Sequence, residues 1–415
     1  MARRVTLIAA MALVFASLTA REGEAQVNPG DVITSANAAK VKDLVSPGAL
    51  SMVTSGIIAI KVAPTQKIDW PPPYREATEK YSAQVSLTPD NRSLSGYVAG
   101  LPFPKIDAND PNAAIKLMWN SQFRPGLNDD YDVRFNDCDI SKGGETIESI
   151  QFGHYAGYSL VGRTEVQPLP TDPDFKDSKR YWLFGLYPVL EPAELRGGAL
   201  SRSRFADGSK PDDSYAWNPG SRRLRQLGED MLRDPSGLGW APDRYLGFNS
   251  KLEEFDYKLL GQKPMLGCFH AVHVPATPCS GNVADCAENW ELRNVYAVEA
   301  TPRPGTGGSK AIIYLDAETW FSPYLDTYKP TGELEEEDVY LWSYGDRSNS
   351  QANVAIYPFP RQFAVSGVSF DTREGVLTKC YLPGSDSQDT EGWYINMGTV
   401  DREFFTTRAL EKAAH

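Results

Sequence analysis

The sequence predicts a mainly β, α+β protein: strands in an antiparallel meander, with a few helices near the two ends. Three observations predict it. From about residue 128 onward, strand-like segments recur between turn signals and not between long helical patterns, which argues against a parallel sheet. The chain holds 20 Tyr, 17 Phe and 9 Trp, with 34 Gly and 30 Pro spread along it, a composition suited to strands joined by turns. Helical signals gather before residue 120 and again at the C-terminus. The 415 residues suit one large domain or two ordinary ones, and no repeat or linker marks a division.

The elements follow in order. Residues 35–45, SANAAKVKDLV, predict a short helix capped by Thr34 or Ser35, and Gly56–Val62 a strand. Pro71-Pro72-Pro73 stiffens the approach to a helix over Tyr74–Gln84, where Ala77 and Tyr81 keep helical spacing. Thr88-Pro89-Asp90-Asn91 is a turn between Val85–Leu87 and Leu94–Val98, the signature of a hairpin. Asp110-Pro111 reads as an N-cap followed by Pro at the first helical position, with helix continuing to Asn120. Nothing in this stretch from Trp70 to Asn120 has the form of a catalytic motif.

Strands are then expected at Tyr131–Phe135, Glu145–Val161, Arg180–Leu190, Ala199–Phe205, Ser214–Trp217, Arg222–Leu227, Phe255–Leu260, Asn294–Ala300, Ala311–Asp316, Val339–Tyr344, Ala364–Phe370 and Thr378–Leu382. Pro242–Phe248 and Arg402–Ala413 are the remaining helical candidates.

The first residues indicate export. Arg3 and Arg4 precede an uncharged apolar run, Val5–Ala20, and Gly23-Glu24-Ala25 offers small residues where a signal peptidase cleaves. The competing reading, a membrane anchor, needs roughly 20 apolar residues, more than this run supplies. The chain thus divides into a signal peptide over 1–25, a helix and hairpin segment over 26–125 packing on the sheet, and an antiparallel β domain with a C-terminal helix over 126–415. The full chain carries a formal charge of -12. Residues 1–25 contain three Arg and two Glu, so the processed chain carries -13. Such a surface repels nucleic acid, and any lipid contact must be local and apolar. Five cysteines in an oxidising compartment suggest two disulfides and one spare thiol. Cys279 and Cys286 flank the turn-rich SGNVAD and are the candidate pair; the other pairing is not deducible.

In Tyr181-Trp182-Leu183-Phe184-Gly185-Leu186-Tyr187 both strand faces are apolar, so the strand is covered on both sides or lines an apolar cavity. By contrast, Ser201-Arg202-Ser203-Arg204 and Ser221-Arg222-Arg223-Leu224-Arg225 alternate as if placing Arg on a solvent face. These arginines would meet either an anionic partner or the chain's own carboxylates.

Reactive constellations are scarce. His154, His270, His273 and His415 are the only histidines. Cys268-Phe-His270-Ala-Val-His273 fits no standard zinc spacing, so no metal site is assigned. Gly157-Tyr-Ser159-Leu-Val-Gly162 misses the nucleophile-elbow spacing. Gly305-Thr-Gly307-Gly308-Ser309-Lys310 lacks P-loop spacing and reads as a hairpin turn. The acidic run Glu333–Asp338 reads as a solvated loop, since the alternating ligands of a calcium loop are missing. No catalytic residue and no cofactor are expected.

Several long words carry a resemblance. They are Pro73-Tyr-Arg-Glu-Ala-Thr-Glu-Lys-Tyr81-Ser-Ala-Gln-Val85, Tyr97-Val-Ala-Gly-Leu-Pro-Phe-Pro104, and Asp110-Pro-Asn-Ala-Ala-Ile-Lys-Leu-Met-Trp-Asn120. Ser221–Arg225, Val295–Pro302, Ile313–Glu318 and Asp326–Gly332 extend the match over most of the chain. In these words the sequence resembles the bacterial family catalogued as domain of unknown function 1329. The resemblance implies an exported, periplasmic protein similar to the lipoprotein-localisation carriers. It also implies a strongly curved antiparallel sheet, a half-barrel closed by helices around an apolar cavity. It supplies no catalytic residue.

Three functions follow as expectations. The first is a periplasmic carrier for a lipid or other hydrophobic molecule, working with envelope export machinery. Trp182, Phe184, Leu186, Tyr215 and Trp217 are then the candidate ligand-lining residues, and a dry, filled interior would count against it. The second is an adaptor docking on an outer-membrane or exporter partner, without a ligand cavity. The third is an exported hydrolase, which needs a nucleophile in contact with His154, His270 or His273.

Overall fold

The computed structural model describes residues 27–134, 137–228, 240–273, 282–349, 355–382 and 393–413. The expected signal peptide and Cys279 lie outside the described residues.

Two sheets dominate. The larger runs, in spatial order, β1 (Val32–Ile33), β2 (Ile60–Val62), β15 (Glu288–Pro302), β16 (Lys310–Asp316), β17 (Tyr324–Tyr328), β18 (Leu334–Gly345), β19 (Arg361–Asp371), β20 (Val376–Tyr381), β6 (Asp137–Lys142), β7 (Glu145–Phe152) and β10 (Val189–Glu191); β14 (Phe255–Gly267) also pairs with β15. The second runs β13 (Arg223–Leu227), β12 (Asp213–Asn218), β11 (Ala199–Phe205), β9 (Arg180–Leu186), β8 (Tyr155–Ser159), β5 (Asp130–Val133) and β21 (Trp393–Ile395). A hairpin of β3 (Ser86–Leu87) and β4 (Leu94–Ser95) stands apart. The large sheet is curved and does not close into a barrel. Its neighbours are antiparallel except β2 and β15, which run parallel. The meander expectation missed that pair because a parallel neighbour needs a long crossover, and here the two strands are separated by more than half the chain.

Among the described residues the α-helices are α1 (Pro47–Thr54), α2 (Pro72–Tyr81), α3 (Ala113–Gln122), α4 (Phe175–Ser178) and α5 (Thr407–Ala413). Helix α1 packs on β17 and β18, α3 on β14, and α5 on β11 and β12. Sequence reading missed α1, although Ser46 caps it by accepting from the Ala49 amide at 3.0 Å and Pro47 occupies the first turn. The cap of α3 is Asn112 rather than Asp110. Where a helix was expected over 35–45 and over Pro242–Phe248, short 3-10 turns form at Ala38–Val41 and Pro242–Arg244.

One hydrophobic core spans both sheets, joining Val298, Ile313 and Leu325 to Tyr155, Phe184 and Leu186. Leu183, on the other face of β9, packs with Val400 and Phe405. The apolar strand is therefore covered on both sides. Trp240 lies close against Gly367 of β19. A Cβ at Gly367 would stand 2.2 Å from the Trp240 ring. Gly367→Ala is expected to cost about 1–3 kcal/mol through overpacking, read as a lower urea midpoint at unchanged slope.

Two expectations are corrected. The acidic run Glu333–Asp338 is not a solvated loop: it forms the start of β18, with Glu337 and Asp338 buried. Arg202 and Arg204 do not face solvent either, being 3% and 2% exposed. Arg204 pairs with Asp212 at 2.9 Å and Arg202 with Asp243 at 2.6 Å. Alternation marked the face correctly, but that face meets protein, and carboxylates on neighbouring segments neutralise it. Arg222, Arg223 and Arg225 are exposed as expected.

Cys138 and Cys380 form a disulfide between paired positions of β6 and β20, and Cys268 is a buried free thiol.

Candidate ligand-binding cleft

Strand alternation sends Leu325 and Thr327 of β17 to the face opposite Asp326. Cross-strand partners share a face, so Glu336 and Asp338 of β18 lie with Thr327 and Leu325. This face, the Gly307–Ser309 turn between β15 and β16, and the segment around Arg244 enclose a cleft of about 400 Å³. Ala311, Leu325, Phe248 and Phe255 give it an apolar floor and wall. Asp243, Arg244, Glu335, Glu336 and Arg373 supply charge.

The charges are fixed by one another. Arg244 lies 2.7 Å from Asp338 and 3.0 Å from Glu336, and donates to the Thr327 hydroxyl at 3.2 Å. Arg373 lies between Asp371, at 2.9 Å, and Glu335, at 3.3 Å. The Ser309 hydroxyl donates to Glu335. Ser250 donates to Asp243 at 2.8 Å. Burial raises the Glu336 carboxyl above its ordinary value, against the pull of Arg244. Burial also opposes ionisation of Asp243, but Arg202 and Arg204 outweigh it and hold that carboxyl low. Fixed charges beside an apolar floor are the usual makeup of a small-molecule site. A second depression, of about 510 Å³ beside α5, is lined largely by polar and charged groups such as Thr399, Asp401, Glu403, Arg408 and Lys412.

The residues singled out from sequence are divided by the second sheet. Trp182, Phe184 and Leu186 share one face of β9, whose pairing places them with Arg204, Arg202 and Leu200. Trp182 stacks on Phe184 at 5.6 Å, and Phe184 meets Tyr155 edge-on. Tyr215 and Trp217 pair with Ser201 and Ala199, and so lie on the opposite face, where they pack around Leu410 of α5. The five do not form one surface. Trp182 borders a void of about 30 Å³, shared with Phe123, Tyr155 and Arg204. A neighbouring apolar void between Tyr155, Trp240, Tyr245 and Tyr340 measures about 20 Å³. Spaces of that size hold about one water molecule, not an acyl chain.

The histidines among the described residues each hold a carboxylate. His154 lies 3.0 Å from Asp132, His270 2.9 Å from Glu291, and His273 2.8 Å from Glu288. Among the described residues none of these rings is hydrogen-bonded to a Ser, Thr or Cys, and no cluster of three or more His, Cys, Asp or Glu is placed to hold a metal. Sequence reading missed the cleft because its walls come from distant segments. The one local hint was the Gly-rich 305–309 turn, which does join β15 to β16 and also rims the cleft.

The fold and site define a class: an open, curved β-sheet protein with a mixed apolar and charged cleft. More specifically, the chain belongs to the family described as protein of unknown function (DUF1329), whose model matches residues 32–411. Among solved structures it is similar to a putative outer membrane lipoprotein-sorting protein domain from Vibrio parahaemolyticus. The identity there is 12%, with a TM-score of 0.49, over 74% of this chain and 100% of that one. A DUF1329 family protein from Desulfovibrio piger matches at 15% identity and TM-score 0.41, over 68% of this chain and 92% of that one. A LolA superfamily protein from Nitrosomonas europaea matches at 10% and 0.37, over 68% and 91%. No curated protein matches.

Proposed function

We propose that this chain is a non-catalytic binding protein of the cell envelope. In this reading it holds the apolar part of an amphipathic molecule in the cleft between β17, β18 and the 305–309 turn. The observation that carries it is the cleft's composition: an apolar floor of Ala311, Leu325, Phe248 and Phe255 beside charges locked in place by their own ion pairs. Each methylene buried on such a floor contributes roughly 0.8 kcal/mol. Trp182, Phe184 and Leu186 then belong to the packed core on the second sheet and not to the site. An exported, periplasmic location fits the apolar N-terminal run and the Cys138–Cys380 disulfide, which persists in oxidising compartments. Carriage of a lipid between membranes is the further extension of this reading.

The packed space between the two sheets favours a second reading, the adaptor that binds a partner protein and no small molecule. Native mass spectrometry on protein released from cells without detergent separates the two. The binding reading expects extra mass that extracts into organic solvent. It also expects that mass to be lost in Ser309→Trp, which fills the cleft mouth from the turn between β15 and β16, with the fold checked by circular dichroism. A clean apo mass, unchanged after incubation with membrane lipids, would leave the adaptor.

A further inference from the structure

Building on the binding reading above, we infer that the cleft selects the head group of its ligand by charge. It accepts a hydroxyl-rich or ammonium head and rejects an anionic one. The ion pairs around the cleft are unequal. Arg244 is shared by Glu336 and Asp338, and Arg373 by Asp371 and Glu335. Asp243 takes Arg202 as its partner. The lining itself carries three carboxylates, Asp243, Glu335 and Glu336, against two guanidiniums, Arg244 and Arg373, and is net negative. No cation lining the cleft is spare: both of its arginines are already held by two carboxylates each. A carboxylate or phosphate head entering here would meet like charge in a partly desolvated space, where repulsion is stronger than in water.

The same lining invites hydrogen-bond donors. Glu335 and Glu336 present carboxylate oxygens at the wall, and the Ser309 and Thr327 hydroxyls lie beside them. The Nε of Arg244, in a residue only 6% exposed, has no hydrogen-bond partner among the described residues and can take an acceptor. A hydroxyl-rich head offers both donors and acceptors and satisfies the two demands together. An ammonium head satisfies the first and gains from the net charge. The apolar floor takes the chain in either case.

The test holds the chain constant and varies the head. Dodecyl maltoside, dodecylammonium and dodecanoate are titrated below their micelle concentrations into delipidated full-length protein, with binding followed by calorimetry. Dodecanoate is expected to bind at least tenfold more weakly than dodecyl maltoside. Glu335→Gln is expected to narrow that ratio severalfold, with the fold verified by circular dichroism. Dodecanoate binding as tightly as the other two would overturn the charge selection while leaving the binding reading intact. No binding by any of the three would overturn both. Equal binding of all three by Ser309→Trp and the parent protein would show that the chains bind elsewhere, which also overturns the assignment to this cleft.

Discussion

Asp326→Asn is expected to make the protein more stable at pH 8, by about 2–4 kcal/mol, while changing little at pH 4. Asp326 and Glu337 are cross-strand partners on β17 and β18, both buried beneath the start of α1. Burial, the largest cause, pushes each carboxyl up to about 7; Asp338 adds to the rise at both, and Asp326 adds to it at Glu337. The contacts on offer are neutral: Ser46 donates to Asp326 at 3.1 Å and the Gly48 amide at 3.2 Å. Arg244 is the nearby cation acting on Asp326, and it is offset by Asp338. The direction follows from proton counts. Between about pH 4 and 7 the folded state keeps protons that the unfolded chain has lost, so stability falls as pH rises through that window. The full contribution is present below pH 4 and gone above 7. Each unit of displacement is worth about 1.4 kcal/mol. Asparagine keeps the shape and an acceptor while removing the charge. Urea unfolding of both proteins from pH 4 to 8 checks this. A parent protein whose stability does not decline over that range would show that the pair is not protonated in the fold.

Arg244→Leu is expected to cost about 3–5 kcal/mol at pH 7, the penalty for leaving buried carboxylates without their cation. Arg244 touches both Asp338, which is fully buried, and Glu336. Pairing the change with Asp338→Asn should recover part of the loss, because the stranded charge is then gone. A double-mutant cycle in urea measures the coupling. A loss below about 1 kcal/mol would place these ions in a solvated setting instead.

What the sequence revealed and what it hid have physical reasons. Strand positions were readable because β-branched and aromatic runs between turns mark them. Some breaks were not: the expected strand over Glu145–Val161 is two strands, β7 and β8, which lie in different sheets. Helix α1 carries its signal in Ser46-Pro47, a cap followed by Pro in the first turn, yet was not among the expected elements. The face of a strand is legible from alternation, but what covers that face is not. Arg202 and Arg204 alternate as Arg223 and Arg225 do, yet the first two are buried against Asp243 and Asp212 while the latter two are exposed. Register was invisible. Tyr215 opposite Ser201, with Phe184 opposite Arg202, puts two sets of aromatics on opposite faces of one sheet. The cleft was the least legible feature. Ser309, Glu335 and Arg373 meet only through the order of β16, β17, β18 and β19, a long-range fact.

The Cys138–Cys380 bond bears on the molecule's durability once its backbone is cut. Every residue lining the cleft, from Asp243 to Arg373, falls within the covalent ring that this bond closes. A protease that severs one exposed loop inside the ring produces two ends but not two molecules. The walls of the cleft stay tethered at the seam between β6 and β20, so a nicked protein keeps them in one molecule until a reductant reaches the bond. Under oxidising conditions the seam thus holds the chain together through a single cut.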